Sequence, residues 1–89
     1  MRLIFDPKFL KNLAKFKKNK KTYNQINQKL KIFQKSPQHP SLRLHKLSGR
    51  SENAFSISID KSIRIICVLK KDFWQIVNIG THDQVYKEN

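Results

Sequence analysis

Residues 63 to 69 read Ile-Arg-Ile-Ile-Cys-Val-Leu, apolar at every position but one. The run is far too short to span a membrane. It also lacks the alternation of a half-exposed strand, so it reads as a central strand covered on both faces. That requirement organises the rest of the chain, because both flanks and both faces of this strand must be filled. Arg64 is the exception within it, and a charge there needs a partner or an opening. Just upstream, Phe55, Ile57 and Ile59 alternate with Ser56 and Ser58, the pattern of a strand buried on one face. Asp60-Lys61-Ser62 and Lys70-Lys71-Asp72 read as turns. Phe73 to Ile79 then forms a last strand, with Trp74 covering one face.

The first half supplies the cover. Arg2 to Phe5 is a short strand with Leu3 and Phe5 on one face. Asp6-Pro7 opens a helix, Asp at the N-cap and Pro where the missing N–H costs nothing. Phe9, Leu10, Leu13 and Phe16 form one apolar stripe at helical spacing. Asn19-Lys20-Lys21-Thr22 interrupts it, and Tyr23, Ile26, Leu30 and Phe33 mark a second helix ended by Ser36-Pro37. The short link predicts an antiparallel helix hairpin. A loop follows, tethered by Leu42, Leu44 and Leu47, with Arg43, His45, Lys46 and Arg50 facing outward and a turn at Gly49. The expected architecture is a single α+β domain over residues 1–89, in the order β-α-α-β-β-β. The helix hairpin packs on one face of a small, mainly antiparallel four-stranded sheet.

Charge is distributed unevenly. The formal net charge is +13, from 19 basic and 6 acidic residues. Between Pro7 and Ser51 there is no Asp or Glu at all, and the remainder of the chain is neutral. A merely solvated surface mixes both signs, so a polyanionic partner is expected: nucleic acid, an acidic protein or an anionic membrane. Lys11, Lys15, Lys18, Lys21, Arg43, Lys46 and Arg50 are the candidate nucleic-acid contacts. Cys67 is the only cysteine, which rules out an intramolecular disulfide and reads as a small buried hydrophobe. The opening Arg2-Leu3-Ile4-Phe5 is too short for a secretory signal, so a soluble cytoplasmic protein without membrane association is expected.

The candidates for chemistry are His39, His45, His82, Arg64, Tyr86, Asp60 and Asp83. No Gly-rich phosphate loop occurs, and no His/Asp/Glu group has metal-ligand spacing, so neither metal nor cofactor is expected. Gly80 at a strand end allows the backbone conformations closed to other residues, leaving His82, Asp83 and Tyr86 on a sheet rim. A basic protein with imidazoles on such a rim fits metal-independent RNA cleavage. A base removes the 2′-OH proton, a cation steadies the phosphorane and an acid protonates the leaving 5′-oxygen. Two imidazoles can fill the acid and base roles near neutral pH.

His39-Pro40-Ser41-Leu42-Arg43, His45-Lys46-Leu47-Ser48-Gly49, Arg64-Ile65-Ile66 and Ile79-Gly80-Thr81-His82-Asp83-Gln84-Val85-Tyr86 together carry a resemblance. The chain resembles the RelE/ParE superfamily of bacterial toxins, and within it the YafQ-like messenger-RNA interferases. The resemblance implies the RelE-like microbial ribonuclease fold and a ribosome-dependent endoribonuclease that cuts messenger RNA. It also implies a cognate antitoxin, acidic and encoded by an adjacent gene, as partner. His82 is then the main acid/base residue, Tyr86 holds the substrate nucleotide, Arg64 suits the scissile phosphate and His45 matches a further family histidine. Relatives carry acidic and histidine residues between their first hairpin strands, where this chain offers Ser56, Ser58 and Asp60, and Asp60 joins the catalytic set on that basis. The alternative within the superfamily is a ParE-like, non-catalytic poison of DNA gyrase.

Overall fold

The computed structural model of the chain describes residues 1–49 and 53–86. The elements run β1 (Arg2–Phe5), α1 (Pro7–Ala14), α2 (Lys20–Lys35), a 3₁₀ turn (Pro40–Leu42), β2 (His45–Lys46), β3 (Ala54–Ser58), β4 (Ile63–Leu69), β5 (Phe73–Thr81) and α3 (His82–Tyr86). The sheet order is β1-β5-β4-β3-β2, antiparallel throughout except for the parallel pair β1–β5. It has five strands rather than the four expected. The additional one is a two-residue edge strand in the segment read as loop, and pairing that short leaves no periodic trace in sequence.

Strand β4 lies inside the sheet and is covered on both faces, as its composition requires. Ile63, Ile65 and Cys67 join the larger core with Phe9, Ile26, Leu30, Phe33, Leu42, Trp74, Ile76 and Ile79. On the opposite face Ile66 belongs to a smaller cluster with Leu47, Ala54 and Val85. Trp74 sits between Phe33 and Phe55, with ring centroids 4.9 and 5.5 Å away. Ser56, expected to face solvent, is buried because its face is the one covered by this second cluster.

The helix boundaries follow local bonding. Asp6 stands at the α1 N-cap, but its carboxylate makes no cap bond and instead accepts from Gln75 Nε2 at 2.8 and 3.1 Å, anchoring α1 to β5. Leu10, assigned to the apolar stripe, is half exposed, whereas Phe9 is fully buried and stacks on Phe5. Asn19 caps α2 by accepting from the Thr22 amide at 3.1 Å, so Lys20 to Thr22 form its first turn rather than a linker. Gly49 takes φ 76°, the left-handed conformation a turn glycine permits.

Helix α3 owes its place to a capping box. Gln84 Oε1 accepts from the Thr81 amide at 2.9 Å, and Thr81 Oγ1 accepts from the Gln84 amide at 3.3 Å. Val85 then plugs the helix into the second cluster. Gly80 serves this packing by size rather than by conformation, since its φ lies outside the left-handed region. A Cβ there would lie 2.8 Å from Gln84 Oε1 and 3.2 Å from Gln84 Cβ. Losing an N-cap typically costs about 1 kcal/mol. Thr81→Ala and Gln84→Ala should therefore each raise amide exchange across residues 82–86 while leaving exchange in β4 unchanged. Hydrogen-exchange NMR checks this, and equal protection of α3 in both variants would remove the capping box as its anchor.

Candidate active site

The pairing register assembles the site row by row. His45 pairs with Ser56, and Ser56 with Ile66, so these three share the face that carries Val85 and α3. Two residues along, Ser58, Arg64 and Gly80 stand side by side on β3, β4 and β5. Strand alternation puts Ser58 and Arg64 on the same face as Ser56 and Ile66. Beyond Gly80 the chain turns into α3, which folds back over this face. The candidates thus occupy one side of the sheet, with the main helices on the other.

His82 and Tyr86 are the first and last residues of α3, one turn apart and therefore on one side of it. Their rings meet with centroids 4.3 Å apart and planes tilted by 58°. His82 is exposed, and its Nδ1 lies 3.7 Å from a carboxylate oxygen of Asp83, whose side chain is more open to solvent still. The imidazole is thus propped by a phenol and faces water, the posture of a group that meets a ligand rather than a core.

The partners that Arg64 finds are backbone oxygens. Its Nη1 donates to the Asp60 carbonyl at 2.6 Å and to the Ile63 carbonyl at 3.2 Å. Both acceptors are neutral, and among the described residues no carboxylate pairs with the guanidinium. The carboxylate of Asp60 is engaged elsewhere: Oδ1 accepts the amides of Ser62 at 2.8 Å and Ile63 at 2.7 Å, closing the β3–β4 turn. Asp60 thus shapes this turn through Oδ1 and supports Arg64 through its carbonyl.

Arg64 lines a cavity of about 350 Å³ with Ser41, Arg43, Ser58, Asp60 and Lys61. Three cations and two hydroxyls around one already bonded carboxylate make a lining suited to a phosphate. Arg43 adopts φ 48°, left-handed and uncommon for a residue with a Cβ. The 3₁₀ turn before it is fixed by His39, whose Nδ1 accepts from the Ser41 amide at 3.2 Å, and by Lys29 Nζ donating to the Ser41 carbonyl at 2.9 Å. His39 is thus a cap rather than a chemical candidate. Lys61 was not singled out in the sequence, where it reads only as a turn residue.

His45 is exposed on the edge strand. It shares the face with Arg64 but stands three strands from β5, roughly 14 Å at the usual interstrand spacing. Among the nucleic-acid candidates, Lys11, Lys15, Lys18, Lys21, Arg43 and Lys46 are all exposed, and Arg50 lies outside the described residues. Among the described residues no three His, Cys, Asp or Glu side chains gather as a metal site, and no helix is long and apolar enough to cross a membrane.

Cys67 is fully buried, its Sγ donating to the Phe55 carbonyl at 3.6 Å. Burial pushes its thiol up to about 12, so the nucleophilic thiolate is suppressed at neutral pH. Cys67 should therefore resist alkylation by iodoacetamide at pH 8 in the folded protein and react fully in denaturant. Mass spectrometry of both samples checks this.

No protein-family model matches the chain, and no curated protein matches it in sequence. Solved structures do match. YafQ from E. coli strain BL21(DE3) superposes with a TM-score of 0.82 at 15% identity, covering 97% of this chain and 99% of that one. The YoeB dimer from Staphylococcus aureus gives 0.77 at 20% identity over 92% and 97% of the two chains. A YoeB/ParE toxin from Agrobacterium tumefaciens gives 0.80 at 13% identity over 92% and 99%. The TM-scores and the near-complete mutual coverage agree in one conclusion: the chain has the RelE-like fold of the toxins YafQ and YoeB.

Proposed function

We propose that the chain is the toxin of a toxin–antitoxin pair and acts in the cytoplasm as a ribosome-dependent endoribonuclease on messenger RNA. The observation that carries this reading is the pairing of His82 with Tyr86 on α3, on the sheet face that also holds Arg64. Further support comes from the fold neighbours, among them YafQ in a DinJ–YafQ toxin–antitoxin complex and YoeB in complex with YefM. The basic stretch from Pro7 to Ser51, which carries no acid, adds to it, since ribosomal RNA and an acidic antitoxin are both polyanions.

In this reaction the 2′-oxygen bonds to phosphorus as the bond from phosphorus to the 5′-oxygen breaks, leaving a cyclic phosphate. A base takes the 2′-hydroxyl proton and an acid gives one to the leaving 5′-oxygen; His82 fills one of these two roles, its ring steadied by Tyr86, whose own face stacks on a base. Arg64, with Lys61 and Arg43 beside it, balances the charge that grows on the phosphorane oxygens. His45, on the far edge of the same face, meets the RNA farther along, away from the phosphodiester at His82. Lys11, Lys15, Lys18, Lys21 and Lys46 contact ribosomal phosphates.

Loss of a general acid or base costs about a hundred- to ten-thousand-fold in rate. His82→Ala should lower cleavage of translated messenger RNA by that margin, read by primer extension, with ribosome and antitoxin binding intact. Tyr86→Phe should be milder than Tyr86→Ala, because stacking needs the ring. Undiminished cleavage by His82→Ala removes the mechanism. Growth arrest with gyrase-linked DNA breaks and intact RNA would make the chain a ParE-like poison instead.

Arg64→Ala separates support from chemistry. It strands no carboxylate, since both acceptors are carbonyls at a half-exposed turn. Cleavage should fall at least about a hundredfold, the scale of a lost charge-stabilising donor. Calorimetry should show a melting-temperature loss of no more than about 4–8 °C, the equivalent of about 1 kcal/mol in a domain of this size. A collapse of stability with cleavage per folded molecule unchanged would assign Arg64 to structure alone.

A further inference from the structure

On the helix side of the rim, behind α3, a cleft of about 340 Å³ opens between the end of α1 and the β4–β5 edge. Its size falls at the lower end of small-ligand sites, roughly 300–1,000 Å³. None of the residues given a chemical role above lines it, apart from Lys15 at its mouth. Ile63 and Ile79 form an apolar floor, and the half-buried ring of Phe16 stands as one wall.

The polar groups of the cleft have fixed orientations. Asn78 Oδ1 accepts the amide of Ile79 at 2.9 Å, which identifies that atom as oxygen. The same oxygen accepts from Asn12 Nδ2 at 2.7 Å, so the remaining Asn12 amide atom, Oδ1, is an acceptor. Gln84 Oε1 accepts from the Thr81 amide, which leaves Gln84 Nε2 as a donor. Lys15 adds an exposed cation, and no carboxylate lines the described wall. A ring, an apolar floor, an acceptor, a donor and one cation suit a flat heterocycle that carries a hydrogen-bonding edge and a phosphate.

Thr81 and Gln84 bracket His82 and form the cap of the helix that carries it. A nucleotide in this cleft is thus a near neighbour of the phosphodiester at His82. We propose that the cleft is a subsite for one nucleotide flanking the cut, its base against Phe16 and read by Asn12 and Gln84, its phosphate on Lys15. The inference rests on the ribonuclease reading above and names where a base is selected.

The test needs neither ribosome nor cleavage. The ¹⁵N-labelled full chain is titrated with AMP, GMP, CMP and UMP, and with inorganic phosphate as the charge control. At least one mononucleotide should give saturable shifts at the side-chain amides of Asn12 and Gln84 and at the Thr81 amide, while phosphate gives none there. Phe16→Leu keeps apolar contact with the core and should weaken that binding by about 5- to 150-fold, the worth of one stacked base. Phe16→Tyr should retain it, and melting curves check that both variants fold. No saturable shift with any mononucleotide overturns the subsite, as does an identical response to phosphate or undiminished binding by Phe16→Leu. Binding that depends on Phe16 in a chain that cleaves no RNA would keep the subsite and overturn the reaction. Cleavage without such binding would overturn the subsite alone.

Discussion

Strand β4 must be dry on both faces, and the second of its covers is a helix of only five residues. On one side α1 and α2 supply Phe9, Ile26, Leu30 and Phe33. On the other, α3 offers five residues and one fully buried side chain, Val85. Burying a Val contributes about 1.5–3 kcal/mol, and that contribution is what draws the chain back over the sheet after β5. His82 and Tyr86 ride on the same turn. Hydrophobic closure and presentation of the imidazole are thus one event, and the capping box of Thr81 and Gln84 sets its angle.

The cations divide into two kinds. The lysines of α1 and α2 project from elements fixed by their apolar stripes, in a stretch of sequence that carries no acid. Such charges act together, as a field that falls off over about 10 Å at 0.1 M salt. Arg64 works differently, because two backbone carbonyls aim it while leaving its charge available. A carboxylate partner would have held it as firmly and neutralised it. The use of peptide oxygens in that place keeps a rigid cation next to the rim.

Much of this was legible in the residues, and what was missed has common causes. The unbroken apolar run at 63–69, the alternation at 55–59 and the stripe of Ile26, Leu30 and Phe33 are burial patterns, and burial is what sequence records best. Edge strand β2 escaped because two residues carry no period. The partner of Arg64 escaped because a carbonyl acceptor has no side-chain signature. Asp6 and Asn19 show the limits of cap preferences: both sit at helix starts, but only Asn19 makes the cap bond, since Gln75 claims the other carboxylate. The one legible signal left unread was Thr81-His-Asp-Gln84, a capping box in plain view. Gly80 was noticed for the wrong property, backbone freedom, when its missing Cβ is what the fold needs.

The parallel pairing of β1 with β5 sets an order of events during synthesis. Arg2 waits for Phe73, and Asp6 waits for Gln75, 69 residues along the chain. Helices α1 and α2 can form as they leave the ribosome, but the sheet that fixes them cannot close until β5 has emerged. The rim carrying His82 follows β5 directly. A nascent chain therefore cannot assemble this rim before β5 has emerged, whatever part of the helical layer has formed by then.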